Sequence, residues 1–242
     1  MKGIILAGGK GTRLYPATKI TSKQLLPVYN KPMIFYPVET LVNAGIKNIL
    51  IIVAPDHSGD FLNLLGSGKE FGAKFTYEIQ DEARGLADAF IIGADFIGKD
   101  NVTMILGDNI FENDFRKSIK EFDGGAKIFA KHVHDPERFG VPEFDKDMNV
   151  LSVEEKPKKP KSSYALVGMY IFDNRVVEYA RNLTPSKRGE IEITDLQSKY
   201  LEQGELKVDI IDGMWEDAGT FDSLLRASNF MADKSRLESD SV

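Results

Sequence analysis

The chain has 242 residues, 42% of them hydrophobic and 28% charged, and no Cys. That composition is ordinary for a globular protein with a sizeable core, built as one large domain or two small ones. Its 31 Lys and Arg against 37 Asp and Glu leave a net charge of −6, opposite to that of a general nucleic-acid binder, and the lack of Cys excludes disulfides, thiolate metal sites and a cysteine nucleophile.

In chain order, Ile4, Ile5 and Leu6 form a short apolar run that suits a strand buried on both faces of a parallel sheet. Ala7 to Gly11 follow as nearly bare backbone, whose N–H groups can converge on an anion, and Arg13 adds a positive fork suited to phosphate oxygens. The reading is a strand that ends in a phosphate-cradling loop. Neither common glycine motif fits it. Gly9 follows Gly8 and Gly11 follows Lys10, against a P-loop, and Leu14 stands where a dinucleotide fingerprint needs its third Gly.

Residues 14–28 hold two prolines and no clear period, so they form an irregular loop, with Lys23 as its most interesting cation. Such a loop directly after a glycine turn is usually functional. A helix is expected over 32–44, closed by Gly45, and a buried strand over 48–53. A helix through 61–65, a strand over 75–79 delivering Gln80, a helix over 85–96 and a strand over 102–106 ending in Gly107-Asp108-Asn109 come next. This alternation predicts a parallel sheet wound by crossovers, with ligands at the carboxyl ends of its strands. The Gly loop, Gln80 and Asp108 all fall there.

After a helix expected over 112–122, strands are expected at 126–133, 150–155 and 165–172, with a weaker piece at 138–144. They read as a mixed-strand extension packed beside the first half. Lys156 to Lys161 reads as a solvated loop stiffened by proline. A helix carrying Ile193, Leu196 and Tyr200 follows, with Thr194 and Gln197 spaced as a capping box. A strand over 208–211 leads to Asp217, and a last helix carries Phe221, Leu224, Leu225, Ser228 and Met231 on one side. The tail after Ala232 is expected to fray.

Asp108 and Asp217 each follow an apolar strand. Two carboxylates meeting beside a polyphosphate would hold Mg²⁺, which favours one or two carboxylates plus phosphate oxygens; alone, each would serve as an ordinary turn former. His132 and His134 have an i, i+2 spacing but no third zinc ligand. Nothing pairs a nucleophile with a His, so rate would come from positioning and charge neutralisation. The chain shows no leader ahead of its first strand and no window long enough to span a membrane, and it is expected to be cytoplasmic.

Gly8-Gly9-Lys10-Gly11-Thr12-Arg13-Leu14 with Lys23-Gln24-Leu25-Leu26-Pro27 resembles the signature of the sugar-1-phosphate nucleotidyltransferases. Further stretches are similar to that family's, in the same order: Gln80, Gly85-Leu86-Ala87, Leu106-Gly107-Asp108-Asn109, Glu155-Lys156-Pro157, Gly189-Glu190 with Glu192-Ile193-Thr194-Asp195, and Trp215-x-Asp217-x-Gly219-Thr220. The thymidylyl-transferring branch is the most similar. The resemblance implies one α/β domain over residues 1–242, with a Rossmann-like, mostly parallel central sheet, flanking helices and a mixed-strand sugar-binding extension. Residues 1–125 or so would take the nucleotide and about 126–230 the sugar phosphate.

It also implies transfer of a thymidylyl group from dTTP to α-glucose 1-phosphate, with Mg²⁺ as cofactor, no nucleic acid or membrane partner, and homo-oligomer formation left open. Leu6, Ala7, Gly8, Gly11, Thr12, Arg13 and Asp108 would hold the nucleotide, and Gln80 and Gly85 would read its base. Asp108 and Asp217 would hold the metal. Lys23, Asn109, Gly140, Glu155, Lys156 and Val167 would face the sugar phosphate, with Arg13, Lys23, Asp108 and Lys156 carrying catalysis.

Some positions depart from the family. Ala83-Arg84 precede Gly85 where the branch often carries Pro-Asp, Pro142 interrupts a strand motif, and Glu216 stands in place of an apolar residue. Longer members carry a further C-terminal segment implicated in regulation and assembly, so no separate feedback site is expected here. Two rival readings are a transferase for UTP or another sugar phosphate, and a catalytically silent sugar-nucleotide-binding subunit. The second should have lost Arg13, Lys23 or Asp108, and all three are present.

Overall fold

A computed structural model describes residues 1–239. Its first half contains β1 (Lys2–Ala7), β2 (Pro27–Val28), β3 (Lys31–Pro32), α1 (Phe35–Asn43), β4 (Asn48–Val53), α2 (Ser58–Leu65), β5 (Lys74–Ile79), α3 (Asp88–Ile92), α4 (Ala94–Ile97) and β6 (Val102–Leu106). The second half adds β7 (Asn109–Phe111), α5 (Arg116–Lys120), β8 (Ala126–His132), β9 (Gly140–Phe144), β10 (Val150–Glu155) and β11 (Tyr164–Phe172). It closes with α6 (Val176–Arg181), α7 (Ile193–Glu202), β12 (Leu206–Ile210), β13 (Trp215–Asp217) and α8 (Phe221–Ser239).

Seven strands make one sheet in the order β12-β8-β11-β6-β1-β4-β5. β1 lies parallel to β4 and β6, β4 to β5, and β12 to β8. β11 runs antiparallel to both β6 and β8. Of the second-half strands, β8, β11 and β12 therefore continue the central sheet. β9 and β10 pair as a separate hairpin, and β13 pairs with β7.

The apolar run of β1 has its cause in two-sided burial. Ile4 and Leu6 pack among Phe90, Ala180 and Tyr200 on the α3, α6 and α7 side. Ile5 and Ala7 pack with Val38, Leu41 and Phe61 on the α1 and α2 side. A smaller cluster ties Ala227 of α8 to Val28, Met33 and Ile110. β1, β4, β5 and β6 end at Ala7, Val53, Ile79 and Leu106, and the strand order reverses between β1 and β6. Crevices in doubly wound sheets open at such a point. Among the described residues, no helix is long and apolar enough to cross a membrane.

Several expected elements come out differently. The 85–96 helix starts at Asp88 and divides at Gly93, which packs tightly against Leu50. The 112–122 helix shrinks to α5, because Glu112 N–H is drawn to Met214 O (2.9 Å) and Asp114 caps Arg116 N–H (2.9 Å). Thr194 and Gln197 form no capping box: the residue before α7 is Glu192, without a side-chain cap, and both Thr194 and Gln197 are buried. In α8, Phe221 and Leu225 are exposed, while Ser223 and Ala227 are buried. That helix also runs on past Ala232 to Ser239; the rest of the tail lies outside the described residues. The sequence reading missed β2, β3, α6, β7 and β13.

Candidate active site

The sheet brings two adjoining cavities to the crevice. One, of about 220 Å³, is walled by Gly8 and Gly9 of the glycine loop together with Lys23, Gln80, Gly85 and Asp108. The other, of about 260 Å³, is walled by Arg13, Gly140, Glu155, Lys156 and Asp217, among others. Asp108, Leu86, Leu106 and Glu190 line both. The shared wall at Asp108 places whatever fills one cavity against whatever fills the other.

Asp108 sits at the turn between β6 and β7, its backbone oxygen accepting from Ala218 N–H (2.9 Å) after β13. β7–β13 pairing sets Asp217 opposite Asn109, so both carboxylates meet at one point. Lys23 Nζ donates to Asp108 Oδ2, and Arg13 Nη2 lies 3.7 Å from Asp217 Oδ2. A Cβ on Gly219 would fall 2.6 Å from Arg13 Nη2 and 2.8 Å from Asp217 Oδ1, so a side chain there would displace one of these two groups.

The charges at this point are unequal. Burial alone would push Asp108 up, but the Lys23 ammonium and its hydrogen bond outweigh it and hold the carboxyl below its usual range. Burial likewise works against the Lys23 charge, and Asp108 outweighs it upward. Asp217 has no hydrogen-bonded cation, and the charges of Lys23 and Arg13 only partly offset what acts on it. Burial, then the charge of Asp108, pushes it up to about 6. Its Oδ1 is buried with no hydrogen-bond partner. A buried, unsatisfied carboxylate oxygen beside a second carboxylate is the donor set a hard divalent cation satisfies, so the residues fit Mg²⁺.

Asn109 is the structural hub of the second cavity. Its Nδ2 donates to Asp108 Oδ1 (3.1 Å), and its Oδ1 accepts from Gly168 N–H (3.0 Å) and Trp215 Nε1 (2.7 Å). Glu155 closes β10, and burial, the largest influence on it, raises its pKa. Lys156 follows it with φ +44°, its N–H donating to Phe139 O (3.0 Å). Gly140 lies against Thr194 and Glu155. At the other end, Gly85 has φ +103°, and a Cβ there would fall 2.5 Å from Ile191 O. Ile191 N–H donates to Arg84 O (2.7 Å) and holds that loop in place.

Three side chains expected at the site do not reach it, and Gly11 lines neither cavity. Ala7 is buried in the core on the α1 and α2 side. Val167 is wholly buried in the core on the α1 side; alternation along β11 turns its neighbours Leu166 and Gly168 to the cavity instead. Thr12 is exposed and lines neither cavity. The sequence reading missed Arg138, Tyr170 and Arg188, which line the second cavity. Arg188 reaches Glu155 (3.5 Å), Glu190 (3.2 Å) and Glu192 (2.7 Å). Its adjacency to Gly189-Glu190 was the available signal.

Cations converging on paired carboxylates at a sheet switch point suit an enzyme that handles phosphates. Residues 2–234 match the Nucleotidyl transferase family, and the chain belongs to it as a nucleotidyltransferase enzyme. A glucose-1-phosphate thymidylyltransferase of Neisseria gonorrhoeae is 54% identical over 237 residues, spanning 96% of this chain and 82% of that one. A solved Bacillus anthracis protein in complex with sucrose is 50% identical with a TM-score of 0.91, spanning 95% of this chain and 94% of that one. A UDP-glucose pyrophosphorylase complexed with UDP-glucose shares the fold at 24% identity, with a TM-score of 0.84 over 96% of this chain and 98% of its own.

Proposed function

We propose that this chain transfers a thymidylyl group from dTTP to α-D-glucose 1-phosphate, giving dTDP-glucose and pyrophosphate. The observation that carries this reading is the meeting of Lys23, Asp108, Asp217 and Arg13 where the two cavities join. The names of relatives near half identity supply the substrates. A phosphate oxygen of the sugar phosphate attacks the α-phosphorus of dTTP; the bond from that phosphorus to the bridging oxygen breaks, and pyrophosphate leaves with the electron pair.

Both reactants are anions, so the residues must offset repulsion before geometry can help. Arg13 and the Leu6–Thr12 loop hold the triphosphate. Lys23 and Lys156 neutralise the attacking phosphate, and Asn109, Gly140 and Glu155 orient the sugar. Asp108 and Asp217 are the residues that would hold Mg²⁺, which supplies positive charge to the polyphosphate when bound. Gln80 and Gly85 read the base edge. dTTP and UTP share that edge and differ by a base methyl, worth about 10–200-fold in a fitted pocket, and by a ribose hydroxyl, so dTTP leads, UTP follows, and CTP, ATP and GTP fall far behind.

Asp108→Asn tests the centre, because it keeps the shape and removes the charge that faces Lys23. Its kcat should fall on the order of 10²–10³-fold in a protein that still folds, with a lowered melting temperature because the partly buried Lys23 ammonium loses its partner. Near-normal turnover at limiting Mg²⁺ would remove Asp108 from the metal and from catalysis.

A further inference from the structure

We propose that Asp88 sets base selectivity by fixing which end of the Gln80 amide faces the nucleotide cavity. The inference rests on the reading of Gln80 as base reader and adds the residue that decides what Gln80 can read. Asp88 opens α3 and is 3% exposed, and Gln80, just after β5, is buried as well. Gln80 Nε2 donates to Asp88 Oδ2 at 3.0 Å. Arg84 Nε lies 3.8 Å from the other oxygen, Asp88 Oδ1, a cation placed beside the negative charge.

An ionised carboxylate only accepts hydrogen bonds. The NH₂ end of Gln80 is therefore the one end that can meet it. Turning the amide over would set its carbonyl oxygen against a carboxylate oxygen, two acceptors without water between them, and strand the displaced NH₂ group. The oxygen end is thereby committed to the opposite direction. Gln80 Oε1 lies beside Gly8, 2.8 Å from where a Cβ would stand, in the wall that Gly8, Gln80 and Gly85 give to the nucleotide cavity.

A free amide suits either kind of base edge, because it can exchange its two ends. A locked one does not. Its fixed acceptor matches a ring N–H, as at N3 of thymine and uracil or N1 of guanine. Cytosine N3 and adenine N1 carry lone pairs and would meet Oε1 acceptor to acceptor. Asp88 acts through Gln80 without touching the base, so it is a positioning residue.

The test is the ratio of kcat/KM for dTTP to that for dCTP, at saturating glucose 1-phosphate, in wild type and three variants. In Asp88→Asn, residue 88 can donate as well as accept, so Gln80 is free to turn. The ratio should fall about tenfold or more, chiefly through KM, since the base lies away from the reacting phosphorus. In the exchange variant, Gln80→Glu with Asp88→Asn, the hydrogen bond returns with reversed polarity and an oxygen again faces the cavity. Its ratio should recover toward wild type, an outcome that a merely structural role for Asp88 does not produce.

An unchanged ratio in Asp88→Asn, or a fall that the exchange does not reverse, overturns the assignment. If Asp88→Asn alone fails to fold, the exchange variant decides: a ratio near that of wild type supports the lock, and a ratio near one overturns it. Gln80→Ala separates the failures. A wild-type ratio there sinks Gln80 as reader, whereas no dTTP turnover in wild type sinks the proposed reaction itself.

Discussion

Lys156 holds a left-handed backbone, φ +44°, that costs a side-chain-bearing residue on the order of 1–3 kcal/mol. The bend places its ammonium beside Glu155, 3.6 Å away, at the mouth of the second cavity. Lys156→Gly relieves the strain while adding the larger unfolded-state entropy of Gly, so a net gain of about 1 kcal/mol is expected in chemical denaturation. The same variant should lose on the order of 10²-fold or more in kcat. A variant that is both less stable and fully active would contradict the account. Asp217 adds a pH signature at the same scale. Its folded pKa, raised by burial and Asp108 to about 6, lies above the ordinary value of 3.8. Such a group contributes stability that is complete below about pH 4 and lost as pH rises through 6, on the order of 3 kcal/mol at most. In metal-free protein, the melting temperature of Asp217→Asn should therefore gain on that of wild type between pH 4 and 7. Parallel curves over that range would rule the shift out.

At the scale of elements, what was legible is what local pattern determines. β1, β4 and β6 are apolar on both faces because helices cover both sides of the sheet, and that pattern stands in the sequence as unbroken runs. β7 and β13 are three residues each and exist only through the pairing of Trp215 with Phe111 and of Asp217 with Asn109; no local period announces a strand made by a partner a hundred residues away. The site divides in the same way. Asp108 and the glycine loop were readable as strand ends, whereas the Lys23–Asp108 bond joins residues 85 apart, and no local pattern singled out Asp88. The last helix shows how periodicity alone gets a face half right: Leu224 and Met231 pack against the small cluster, whereas Phe221 and Leu225 are exposed. Leu225 is 61% exposed and Ala227 fully buried, because what α8 packs on is the small cluster of Val28, Met33 and Ile110. Leu225→Ala should move stability by no more than about 0.5 kcal/mol. Ala227→Leu overpacks that cluster and should cost about 1–3 kcal/mol. The reverse order in thermal or urea unfolding would mean the helix is turned the other way.

The whole molecule is organised by one sheet that runs through both halves of the chain, so the carboxylates at residues 108 and 217 are set by a common scaffold. The two cavities meet at Asp108, so on the proposed reading a nucleotide in one would lie beside a sugar phosphate in the other. The central claim is therefore about what the protein makes. Purified protein incubated with Mg²⁺, α-glucose 1-phosphate and dTTP or UTP at matched concentrations should be followed by chromatography of the sugar nucleotide and by pyrophosphate release. The account predicts dTDP-glucose and pyrophosphate in equal amounts, with kcat/KM for dTTP about 10–200-fold above that for UTP. No sugar nucleotide from glucose 1-phosphate, or UTP as the preferred substrate, would contradict it.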